Sequence, residues 1–105
     1  MNEVVYEFKE IEKLENGNKY NVTVELPINT GWIDYLDLVI EKGHDTLIFP
    51  LKHKKNENNK IVFETNIYLD TRAIYHYYFK YKVNNEIKYI TNNQITTNYP
   101  SKDNM

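Results

Sequence analysis

IYHYYFKYKV, residues 74–83, has an aromatic ring at half of its positions. In a β-strand, successive side chains point to opposite faces. One set, Tyr75, Tyr77, Phe79, Tyr81 and Val83, carries no charge and is expected to face a core. The other, Ile74, His76, Tyr78, Lys80 and Lys82, carries the charges and is expected to face water. Large rings fill the gap between two packed sheets well, provided each hydroxyl finds a partner. Most of this aromatic content therefore reads as core, with Tyr78 and His76 left on the surface.

The same period of two runs outward from this stretch in both directions. Upstream, Ile61, Phe63, Thr65, Ile67 and Leu69 give a clean alternation, and Asp70-Thr71-Arg72 turns into the aromatic strand. Downstream, Asn84-Asn85 suits a two-residue hairpin turn because asparagine tolerates positive φ, and Ile87 and Tyr89 continue a return strand. Tyr20, Val22, Val24 and Leu26 share one strand face, and Leu36, Leu38 and Ile40 another. Leu47, Phe49 and Leu51 form a further inward set, and Pro50 within it marks an edge strand, since proline cannot donate to the ladder. The polar run His53–Lys60 reads as a solvated loop. At the N-terminus, Val4, Tyr6 and Phe8 suggest a strand followed by a loop ending at Asn16-Gly17. Residues 92–105 lack an apolar period and read as a tail or linker. About seven short strands separated by turn signals predict an all-β immunoglobulin-like sandwich over residues 1–91.

At 105 residues the chain suits one domain. The formal net charge of -2, with charged residues interspersed, argues against a nucleic-acid partner, which calls for a basic face. Cysteine is absent, which excludes disulfide staples and thiol chemistry. No apolar run reaches the roughly 20 residues of a membrane span, and the first ten residues do not read as a signal peptide. The expectation is a cytoplasmic chain, or a secreted one if it is a fragment of a longer protein.

On the outward face, Tyr35 of the third strand is expected beside Tyr78 and His76, with Lys80 and Lys88 nearby and Trp32 at the adjoining loop edge. Rings that face water amid Asp, Asn and Lys suit a sugar: the ring stacks on the C–H face of a pyranose and the polar groups bond its hydroxyls. Trp32, Tyr35, His76, Tyr78 and Lys80 are therefore the candidate carbohydrate-binding residues. No set of residues suggests catalysis, a metal or a cofactor. His44, His53 and His76 lack metal-site spacing, and the stretch Asn56–Asn59 lacks the spacing of a calcium loop and reads as a turn. With three glycines in all, no phosphate-cradling loop or nucleophile elbow is present. Outward Val39, Ile48 and Val62 suggest instead a surface for self-association.

The strand order YNVTVELP (20–27), DYLDLVIEKG (34–43), DTLIFPLK (45–52), IVFETNIYL (61–69) and the hairpin YYFKYKVNNEIKYI (77–90) resembles the N-terminal immunoglobulin-like domain of neopullulanase and cyclomaltodextrinase-type enzymes of the α-amylase superfamily. The likeness covers roughly Tyr20 to Ile90 and departs in two places: Asn84-Asn85 replaces a common Asp-Gly turn, and a glycine often found after the final tyrosines is missing beyond Tyr89. It implies a non-catalytic carbohydrate-binding module that precedes a (β/α)₈ catalytic domain and binds starch-like α-glucan oligosaccharides or polysaccharides. In some members of the family such a domain helps to form a homodimer.

Overall fold

The computed structural model describes residues 4–71, 73–92 and 94–100. Arg72 of the expected turn and residues 101–105 of the expected tail lie outside the described residues. The strands are β1 (Val5–Leu14), β2 (Gly17–Pro27), β3 (Ile33–Lys42), β4 (Asp45–Pro50), β5 (Lys52–Glu57), β6 (Lys60–Asp70), β7 (His76–Val83), β8 (Glu86–Thr91) and β9 (Gln94–Thr96). They form one sheet in the order β1-β2-β6-β5 and a second in the order β4-β3-β7-β8-β9, with every pairing antiparallel. The first is the A-B-E-D sheet and β4-β3-β7-β8 the C′-C-F-G sheet of an immunoglobulin-like sandwich.

The alternation read from the sequence builds the core. Val22, Val24 and Leu26 of β2 meet Leu36, Leu38 and Ile40 of β3 and Phe79, Tyr81 and Val83 of β7, all nearly or fully buried. Tyr77 lies on the same inward side but remains 37 % exposed, because it sits at the open edge against Tyr6 and Phe8. The backbone N–H of Asp70 donates to the Tyr75 hydroxyl at 2.9 Å. This bond ties the β6–β7 corner to the strand that follows, the tyrosine corner of immunoglobulin-like domains. The chain crosses between sheets at Leu51, whose N–H donates to the Leu36 carbonyl at 2.8 Å.

Two asparagine pairs close hairpins. Asn84 and Asn85 adopt φ of 52° and 62°, as expected, and Asn58 and Asn59 adopt 54° and 63° in the β5–β6 turn. Two successive residues at positive φ match the right-handed twist of the flanking strands. The sheet edges are blunted in ways that discourage further pairing. β4 ends at Pro50, β5 carries Lys52, Lys54 and Lys55, β1 is rich in Glu and Lys, and β9 is short.

Three expectations are corrected. The polar run from His53 is an edge strand, β5, because β6 supplies backbone partners that need no apolar side chain. The N-terminal strand continues to Leu14, through an irregularity between Glu10 and Glu12, before turning back into β2. The sandwich also does not end at residue 91: β9 pairs with β8, Ile95 packs against the core and Pro100 is buried. Among the described residues, no helix is long and apolar enough to cross a membrane.

Candidate functional site

The β2–β3 loop, the β5–β6 turn and the β7–β8 turn gather at one end of the sandwich. The Ile28 N–H donates to the Asn59 carbonyl at 2.9 Å, which joins the first two. Gly31, at φ 110°, joins the first and third: a Cβ there would lie 3.2 Å from Asn84 Nδ2 and 3.3 Å from Val83. Glycine is suited to this position because it alone adopts that backbone at no steric cost. The tight approach puts the next residue, Trp32, outside the packed structure, where it is 80 % exposed.

Trp32 stands at the mouth of a groove of about 420 Å³ floored by Ile33, Ile61 and Phe63. His53 and Asn56 form its polar wall. In a regular strand, residues three apart face opposite ways. Here the register of β5 shifts between His53 and Lys55, so His53 pairs with Phe63 and Asn56 with Ile61, both core-facing positions. Such a bulge re-aims side chains, and bulges recur next to binding sites. The result is a contact of 2.8 Å between His53 Nε2 and Asn56 Oδ1, with the His53 ring edge-on to Phe63 at 5.7 Å. Neither residue was expected at a site. The signal was weak, because nothing in a wholly polar stretch shows which residues a bulge will turn inward.

Of the five residues expected at a sugar-binding face, four share one sheet face, and Trp32 stands beyond its end. Trp32 lies at the loop end, whereas Tyr35, Tyr78, Lys80 and His76 lie along the outer face of the second sheet. β7 runs from His76 to Val83, the partner of Ile33. At about 3.3 Å per residue, His76 is therefore about 23 Å from the Trp32 end. Lys80 pairs with Asp37, whose carboxyl is pushed up by burial and pulled back in part by the Lys80 charge. Lys88 pairs with Tyr81, an inward position, and so belongs to the other face.

Tyr78 requires a further correction. It points away from the core as expected, yet it is only 4 % exposed. Tyr99 covers it: the Tyr78 hydroxyl donates to the Tyr99 hydroxyl at 3.1 Å, and Tyr78, Tyr89 and Tyr99 stack edge-on at 5.6 to 5.9 Å. Burial, and then the Tyr99 bond, push the Tyr78 phenol well above its ordinary range. Alternation along a strand reports the face of a residue but not what a distant segment lays over it. The expected self-association patch is likewise dispersed. Val39 is buried beside Tyr78, Val62 is buried on the other sheet, and Ile48 alone of the three stays exposed, at 58 %.

Among the described residues, no group of three or more His, Cys, Asp or Glu is placed to hold a metal ion. The site offers a flat ring, an apolar floor and two hydrogen-bonding side chains. No protein-family model matches this chain, and no curated protein matches it.

Proposed function

We propose that this chain is a non-catalytic carbohydrate-binding module of an α-glucan-acting glycoside hydrolase, which holds starch-like α-glucans through Trp32. One observation carries the binding reading: the single tryptophan is 80 % exposed beside an apolar-floored groove. An indole in water at a groove mouth provides a stacking platform for the C–H face of a pyranose. The choice of α-glucan, and of a catalytic barrel of the α-amylase superfamily as neighbour, rests on the likeness of the strand order and of the hairpin at residues 77–90. Of the other candidates, Tyr35 and Lys80 remain on a half-exposed sheet face that can meet the flank of a longer chain.

Affinity electrophoresis in gels containing soluble starch or pullulan tests this reading. The wild-type chain is retarded in at least one gel and Trp32→Ala is not. An unretarded wild type, or equal retardation of both, defeats it. A second reading, a structural or dimerising domain that positions the barrel without binding sugar, has exposed Leu47 and Ile48 on edge strand β4 in its favour. It requires concentration-dependent sedimentation that Ile48→Lys abolishes.

A further inference from the structure

We infer that His53 and Asn56 form the specificity element of the Trp32 groove, bonding adjacent hydroxyls of a neutral pyranose stacked on the indole. The inference rests on the glucan-binding reading and adds the residues that recognise the sugar and the chemical class they accept. Three observations combine. The bulge in β5 turns both side chains to the same side of the strand. Their 2.8 Å contact links the two side chains, and the His53 and Phe63 rings meet in a T-shaped contact at 5.7 Å, so each side chain already has a partner on the protein. The groove is lined by Gly31, Trp32, Ile33, Ile61 and Phe63 together with the His53–Asn56 pair, and no Asp, Glu, Lys or Arg is among them.

The chemistry follows from this inventory. With its proton on Nε2, the imidazole donates to Asn56 Oδ1 and offers Nδ1 as an acceptor, while the Asn56 amide offers N–H donors. An acceptor and a donor on neighbouring side chains match two neighbouring hydroxyls, each of which donates and accepts. A carboxylate or phosphate on the sugar would lose water over Ile33, Ile61 and Phe63 without a countercharge in the wall, which is unfavourable. The groove thus selects neutral hexopyranoses over uronic acids and sugar phosphates. Lys54, the residue at the bulge, is directed elsewhere and pairs with Glu64 at 3.1 Å.

The test uses the whole chain, labelled with ¹⁵N and titrated with maltoheptaose. The Trp32 indole N–H and the Asn56 side-chain amide shift together and saturate. Asn56→Ala and His53→Ala each weaken binding by about tenfold, the loss of one net hydrogen bond. Trp32→Ala removes binding altogether. A glucuronic-acid oligosaccharide of similar length leaves both signals in place. The amide spectrum of each variant reports its fold, and because both substituted residues lie on an exposed edge strand, their loss does not open the core. If Trp32 shifts but both alanine variants bind as tightly as wild type, the specificity element is refuted while the binding reading stands. Equal binding of the uronic oligosaccharide refutes the neutral class. If no signal moves at all, both readings fall.

Discussion

Removal of the Tyr99 ring should loosen the second sheet and open Tyr78 to solvent, and the structure allows the effect to be sized. Tyr99 makes edge-on contacts with Tyr78 at 5.9 Å and with Tyr89 at 5.6 Å, and accepts a hydrogen bond from the Tyr78 hydroxyl at 3.1 Å. Each ring pair contributes about 0.5–1.5 kcal/mol, and a net hydrogen bond about the same. Since Tyr99 is itself 66 % exposed, the lower ends of these ranges apply. Tyr99→Ala should then cost roughly 1.5–2 kcal/mol, and Tyr99→Phe, which keeps both ring contacts, only about 0.5 kcal/mol. For a domain of this size, the alanine variant should melt roughly 6–15 °C lower. Urea and thermal unfolding followed by far-ultraviolet circular dichroism measure this; the exposed Trp32 is a poor reporter. Nitration mapped by mass spectrometry gives an independent readout, with Tyr78 protected in the wild type and modified in the alanine variant. If Tyr99→Ala unfolds at the wild-type midpoint and Tyr78 stays unreactive, residues 97–100 are not part of the packed sandwich and the cover assigned to Tyr99 is wrong.

Two further perturbations test the turn chemistry and the tyrosine-rich core. Asn85 holds φ at 62°, so Asn85→Val places a β-branched residue in the left-handed region and should cost about 1–2 kcal/mol in urea unfolding, whereas Asn85→Gly should be tolerated. Tyr81 is pushed up to about 12 chiefly by burial, and Tyr77 and Tyr78 are raised further by burial and by hydrogen bonds to Tyr6 and Tyr99. Their folded-state values exceed the unfolded value near 10, so above pH 10 the folded chain retains protons that the unfolded chain releases. This contribution to stability is fully present below pH 10 and lost as pH rises through the folded-state values. Urea midpoints should accordingly fall between pH 10 and 12, and a midpoint that stays flat across that window would contradict the burial of these hydroxyls.

The parts of the fold legible in the sequence are those where side chains alone settle the matter. Phe79, Tyr81 and Val83 lie in the core because an uncharged parity set has one sensible direction, and Pro50 and Asn84-Asn85 mark an edge and a turn through backbone preferences of their own. β5 and β9 were not legible for the opposite reason. Lys52–Glu57 has no apolar residue and Gln94–Thr96 is too short to show a period; both are strands because β6 and β8 present free edges to them. Tyr78 illustrates a third situation, in which the direction of the side chain was readable but its cover comes from a residue 21 positions later.

The same division explains why the site was half visible. Trp32 is exposed for a local reason, since it follows a glycine whose positive φ lets the loop close on the β7–β8 turn. Its polar companions depend on a nonlocal one. His53 and Asn56 share a side only because β5 slips register by one residue against β6, and that slip cannot be inferred from KHKKNE by itself. A groove assembled from a local device on one sheet and a register irregularity on the other is not specified by either segment separately. Exchanging Lys55 and Asn56, which sets the amide opposite Val62 on the other side of the strand, would therefore separate the pair while leaving Trp32 exposed. Retention of full glucan affinity by such a variant would place the recognition elsewhere on the indole's surroundings, whereas its loss would tie sugar binding to the pair that the bulge brings together.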